Sequence, residues 1–238
     1  MMQAASFWVA ILLTVAAAAT DTSAHICMIT APREPAYVEE TSVVVAAQLP
    51  AHGAVSFSVN SVTSLSNRQR PIGCDSEEDS RSGGEDGLPL CKVQQQGLDV
   101  AATLERCLAA HPGVDWIILL EDDFMPCDST ALAGLMATLD TLDPLQTKFA
   151  RFTQGSGGVA FPSGNVQRYA ASVRAHIATQ PYDRVLLEAW ARQADFVFER
   201  HLFRHIGRVS TLAYRNSAAY LRDNGWLRDN ECGGPILV

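Results

Sequence analysis

Residues 114–120 read VDWIILL, and three carboxylates, Glu121, Asp122 and Asp123, follow without a break. A short run this rich in β-branched and aromatic residues suits a central strand buried on both faces. Such a strand needs sheet neighbours beside it and helices above and below, which constrains the chain to an α/β sandwich. The other segments supply those parts. His25–Thr30 (HICMIT) reads as a buried first strand, ended by the residues APREP. Tyr37–Leu49 has near-helical apolar spacing, although Val43-Val44-Val45 argues partly for strand. Val55–Val62 alternates apolar and polar residues, a strand pattern. Leu98, Ala101, Leu104 and Leu108 share one face of a helix that His111-Pro112-Gly113 stops. Further helices are expected at Thr130–Leu139, capped by Asp128-Ser129, at Val166–Ile177 and at Asp183–Gln193. Short strands are expected at Phe149–Phe152 and Val159–Phe161, around a Gly-rich turn. Strands alternating with helices predict a Rossmann-like α/β sandwich around a mostly parallel sheet.

Ligands of open α/β sheets bind beyond the carboxyl ends of the strands. Three adjacent carboxylates at such an end repel one another and call for a counter-charge. A solvated turn or a helix N-terminus would also accommodate acids, but Asp128-Ser129 already offers a cap five residues on. A phosphatase-like nucleophile is disfavoured because the D-x-D-x-T pattern is absent. A divalent cation accounts for the triplet best. Oxygen ligands suit Mg²⁺ or Mn²⁺, which typically hold a diphosphate with one or two protein carboxylates. A metal-held diphosphate at this edge points to nucleotide-sugar chemistry, in which charge grows on the leaving group and a carboxylate takes the acceptor proton.

Composition narrows the partners and the compartment. The chain has 238 residues, 47% of them apolar, enough for one good-sized domain with a real core. With 18 Lys and Arg against 26 Asp and Glu the net charge is −8, the wrong sign for a nucleic-acid binder. The apolar stretch within residues 6–19 has the length of a secretory leader and is short for a bilayer span, which wants about 20 residues. Residues 1–24 are therefore expected to be a signal peptide or a short membrane anchor, and 25–238 one catalytic domain interrupted by an acidic, Gly-rich loop at 66–92. Six cysteines beside such a leader suggest disulfides, with fifteen full pairings open.

Four segments occur in order: LLEDDF (Leu119–Phe124), FTQGSGGVAF (Phe152–Phe161), QPYDRVLLEAWA (Gln180–Ala191) and LFRHIGRVSTL (Leu202–Leu212). Together they resemble the N-acetylglucosaminyltransferase IV family of Golgi enzymes and its relatives, including the transferase that adds N-acetylgalactosamine to GPI anchors. The resemblance implies a GT-A glycosyltransferase fold, a UDP-sugar donor, usually Mn²⁺ (or Mg²⁺), and a lumenal Golgi or ER location. It implies a glycan or glycolipid acceptor, a mannose of either an N-glycan or a GPI anchor. Carried over by position, Glu121-Asp122-Asp123 is the metal and donor motif, with Asp123 as metal ligand and Glu121 facing the ribose or a metal-bound water. His205 closes the site on the metal or diphosphate, with Arg208 beside the phosphates. Asp183 is the general base, an N-cap, or both, and Glu188 is the rival base. Gly157, in the Gly-rich turn, allows a close backbone approach to sugar or acceptor, and Arg33, after the first strand, is a donor-contact candidate. Residues 74–91 have no counterpart in the resemblance. The rival from another class is a secreted Ca²⁺- or carbohydrate-binding module without turnover, in which the same acids hold Ca²⁺ structurally.

Overall fold

A computed structural model describes residues 22–32, 36–49, 54–65, 71, 91–153, 157–186, 196–198, 201–206 and 232. Eight strands and five helices are defined there: β1 (Ala24–Thr30), α1 (Val38–Gln48), β2 (Val55–Ser61), α2 (Cys91–Ala110), β3 (Trp116–Glu121), β4 (Phe124–Pro126), α3 (Ala131–Leu139), β5 (Phe149–Arg151), β6 (Gly158–Pro162), α4 (Ser163–His176), the short turn α5 (Tyr182–Arg184), β7 (Phe196–Phe198) and β8 (Phe203–His205). Six strands form one sheet in the order β2-β1-β3-β6-β5-β7, with β6 alone antiparallel to its neighbours. A two-stranded sheet pairs β4 with β8.

β3 explains the layering. Ile117 and Leu119 face a core shared with Leu104 of α2 and with Val166 and Tyr169 of α4. Trp116, Ile118 and Leu120 face the opposite core, with Val45 of α1 and Leu132, Leu135 and Met136 of α3. All five residues are buried. This is the two-sided burial expected of a WIILL run, because alternate side chains serve alternate layers. Arg174 of α4 forks onto Glu105 of α2 through two bonds of 2.6 Å, tying the helices on one face together.

The parallel pairing of β1 with β3 is clamped at both ends. Ser23 donates through N and Oγ to Asp115 Oδ2, each at 2.8 Å, before the strands begin. Thr30 Oγ1 donates to Asp122 Oδ2 at 2.6 Å where they end. Charge-assisted bonds of this kind contribute roughly 1.5–3 kcal/mol each when sheltered, and here they also set the register.

Local capping differs from the sequence expectation. Thr130, not Asp128 or Ser129, occupies the N-cap position of α3 and makes no side-chain capping bond. Asp128 Oδ1 instead accepts from Thr130 N and Oγ1, bracing the turn before the helix. The helix N–H of Leu132 is met by Gln48 Oε1 at 3.1 Å, while Gln48 Nε2 donates to Asp128 O at 2.8 Å. One amide from α1 thus caps α3 across the layer. α2 also starts at Cys91, seven residues before Leu98.

Cys27 of β1 bonds Cys107 of α2, and Cys127 bonds Cys232. Cys91 is disulfide-bonded as well, to a partner outside the described residues. Among the described residues no helix is long and apolar enough to cross a membrane. Residues 6–19, and nearly all of the loop at 66–92, lie outside the described residues.

At the amino end of β1, His25 is buried, with Nδ1 on Ser56 Oγ and Nε2 on Ser58 Oγ, both at 2.8 Å, and its ring stacked 3.6 Å from His111. Burial, and secondarily the His111 charge, push the His25 imidazole down to about 4. The unfolded chain protonates this ring near 6.5, so between those values the unfolded state binds more protons. The neutral ring's stability is therefore fully present above pH 6.5 and is lost as pH falls towards 4. Thermal unfolding across that window should show the melting temperature dropping, and His25→Gln should flatten that part of the profile.

The chain at Gly157 crosses β4 at close range. A Cβ on Gly157 would lie 2.1 Å from Phe124 Cε2, so only glycine leaves room for that ring, which also rests 4.9 Å from the His205 ring. Gly157→Ala should cost about 1–3 kcal/mol of stability, as overpacking typically does, read as a lowered midpoint in urea unfolding.

Candidate active site

β1 and β3 are adjacent, but the chain leaves β1 towards β2 on one side and leaves β3 towards β6 and β5 on the other. Their carboxyl ends therefore flank a topological switch point, where open α/β sheets leave a crevice. Thr30 and the acidic triplet stand on its two sides.

The three acids go to three different partners. Glu121 continues the alternation of Ile117 and Leu119, and its Oε1 accepts a 2.6 Å hydrogen bond from Tyr182 Oη. Asp122 is 3% exposed, and its carboxylate is turned to Thr30. Its backbone N–H donates to Ile29 O at 3.1 Å, and its carbonyl accepts from Thr41 Oγ1 of α1 at 2.7 Å. Asp123 is buried, with Oδ2 lying 3.2 Å from His205 Nε2. Separate partners relieve the repulsion that the sequence leads one to expect, and the third acid is offered a second metal-binding side chain, His205.

The small sheet brings His205 to that position from 82 residues away. Phe124 pairs with His205 and Pro126 with Phe203, Ile206 N donates to Asp123 O at 2.8 Å, and Cys127 N donates to Leu202 O at 2.9 Å. The disulfide Cys127–Cys232 closes the outer end of β4.

The pair fits a divalent cation. Ligands at about 2.1 Å in an octahedron stand about 3 Å apart along an edge, close to the 3.2 Å seen here. The carboxylate oxygen suits Mg²⁺ or Mn²⁺, whereas imidazole is more often a ligand of Zn²⁺, Fe or Ni²⁺. No cluster of three or more His, Cys, Asp or Glu gathers for a metal among the described residues. Mg²⁺-type ions that also bind phosphates typically take one or two protein carboxylates and keep positions for phosphate and water.

A second group of polar residues lies on the α2/α4 face of the same edge. Arg151 pairs in register with Val159, which pairs with Leu119, so Arg151 shares a face with Leu119 and hence with Glu121. Arg151 is 4% exposed, and burial pulls its guanidinium down to about 10 against the opposing pull of Asp183, so it remains a cation at neutral pH. Burial, then Asp183, then Glu121 push the Tyr169 phenol well above its usual value. Asp183 is therefore close enough to both Arg151 and Tyr169 for their charges to interact. Its Oδ1 accepts from Arg184 N at 2.9 Å. Pro181 holds the N-cap position of α5, so Asp183 lies inside the first turn and is not the cap.

Of the residues singled out in the sequence, Glu121, Asp122, Asp123, Asp183 and His205 gather at this edge. The close approach that Gly157 permits is taken by the Phe124 ring, and the Gly157 carbonyl accepts from Glu121 N at 3.1 Å. Arg33, Glu188 and Arg208 lie outside the described residues. Sequence reasoning gave no role to Tyr182, Arg151 or Thr41. Arg151, a lone cation in the apolar run Phe149–Phe152, was the available signal. Nothing local marked Thr41.

The sequence matches no protein-family model and no curated protein. Among solved structures, the fold is similar to a viral glycosyltransferase, one "involved in the glycosylation of the major capsid of PBCV-1". The TM-score is 0.55 at 12% identity, over 82% of this chain and 97% of that one. At that identity the likeness concerns architecture. The chain has the mixed α/β fold, with a mostly parallel central sheet, of the Rossmann-like GT-A class.

Proposed function

We propose that this protein is a metal-dependent glycosyltransferase that moves an N-acetylhexosamine from a UDP-sugar to a mannose of an N-glycan or GPI anchor, with inversion, in the lumen of the Golgi or ER. The observation that supports this reading most is the Asp123–His205 pair, 3.2 Å apart at the switch point of a GT-A-type sheet. In this reading Asp123 and His205 hold Mn²⁺ or Mg²⁺. The bound cation supplies Lewis-acid stabilisation of the charge that grows on the departing diphosphate.

The chain's own residues do the rest. Glu121 faces the ribose or a metal-bound water, with its orientation held by Tyr182. Asp122 braces the strand ends from its bond to Thr30, and Arg33 and Arg208 are the further donor-side residues. Asp183, with Glu188 as rival, receives the acceptor hydroxyl proton as that oxygen attacks the anomeric carbon. The bond from that carbon to the diphosphate oxygen breaks, and UDP leaves with the electron pair. One direct displacement inverts the centre, as in glycosidases without a covalent intermediate.

Thermal unfolding with UDP tests the metal half. Saturation at about 100 times the Kd should add about 2.7 kcal/mol of stability, only when Mn²⁺ is present, and Asp123→Asn should remove the effect. Stabilisation by Ca²⁺ alone with no response to UDP would instead mark a binding module. Turnover tests the other half. Asp183→Asn should lower transfer about 100- to 10,000-fold with donor KM little changed. If Asp183→Asn combined with Glu188→Gln left donor consumption intact, the base assignment would be wrong.

A further inference from the structure

Asp183 sits on a three-residue turn, and short turns do not by themselves hold a side chain still. The turn is held by its neighbours. Gly97 of α2 leaves a notch into which Ile177 and Tyr182 pack; a Cβ there would stand 2.3 Å from Ile177 Cδ1 and 3.2 Å from Tyr182 Cβ. Tyr169 of α4 is buried and donates from Oη to the Tyr182 carbonyl at 3.1 Å. Val185 N donates to Pro181 O at 3.0 Å, closing the turn. Tyr182 is itself 4% exposed, and its Oη reaches Glu121 Oε1 at 2.6 Å. None of these contacts uses the Asp183 carboxylate.

We propose that Tyr182 is a positioning residue that joins the two halves of the reaction centre: its backbone carries the base Asp183, and its phenol holds the donor-side acid Glu121. This rests on the glycosyltransferase reading above. With its Cβ packed at Gly97 and its carbonyl anchored by Tyr169, the buried Tyr182 makes the distance between Glu121 and Asp183 a property of the packed core rather than of the turn. Acceptor and donor carbon are then presented to each other at one separation, which is where orientation yields rate. The Tyr182 oxygen transfers no proton in this scheme.

Tyr182→Phe tests this by removing the Oη while keeping the ring in the notch. Three readouts are needed: melting temperature, UDP affinity with Mn²⁺ by calorimetry, and steady-state transfer beside donor hydrolysis. The expected result is a kcat lowered about 10- to 100-fold, a distinctly smaller loss of UDP affinity through the loosened Glu121, and a larger share of donor lost to water. Tyr169→Phe, which frees the Tyr182 carbonyl while keeping the Tyr182–Glu121 bond, should lower kcat by a smaller factor with UDP affinity unchanged. An unchanged kcat in Tyr182→Phe, in an active wild-type background, overturns the proposal and leaves the function intact. A fall in kcat matched by an equal loss of UDP affinity also overturns it, by assigning the phenol to donor binding. A folded wild-type protein that turns over no UDP-sugar overturns both.

Discussion

One strand register governs this molecule. β1 and β3 run parallel, clamped at one end by Ser23 on Asp115 and at the other by Thr30 on Asp122. Because side chains alternate with a period of two, a slip of one residue would exchange the two faces of β3. The buried Trp116, Ile118 and Leu120 would then face α2 and α4, and Glu121 would turn away from Tyr182. The same bond that keeps the core layers in order also places the acids.

That coupling explains how three adjacent carboxylates are tolerated at a mostly buried strand end. Each is directed to its own donor: Tyr182 for Glu121, Thr30 for Asp122 and His205 for Asp123. Two of those donors are neutral hydroxyls, which hold an acid without cancelling its charge. Arg151 adds a buried cation, favoured by the Asp183 charge, on the α2/α4 side of the same edge.

Most elements were legible because they depend on local spacing. α1, β1, β2, β3, α3 and α4 fall within a few residues of where apolar periodicity puts them. β4, β7 and β8 were missed, each only three residues long and paired with a partner distant in sequence or in the opposite layer. The reversed direction of β6 was equally invisible, since a GVAFP run reads the same either way. Capping went astray for a related reason: Asp128-Ser129 has the right residue types, but Gln48 from another helix does the work. In the site, types and order pointed to Asp123, His205 and Asp183, whereas Tyr182 and Arg151 gain meaning only from what they meet.

What the amino-acid order determined alone is the alternation of strands and helices, the two-sided burial of β3 and the placement of acids at its carboxyl end. Those follow from the periodicity of side chains along a regular backbone. What the tertiary structure decided is which acid meets which partner, that Cys27 joins Cys107 and Cys127 joins Cys232, and that a histidine 82 residues downstream arrives beside Asp123. These pairings depend on distances between segments remote in sequence, and only the packing of the two layers against the sheet sets them.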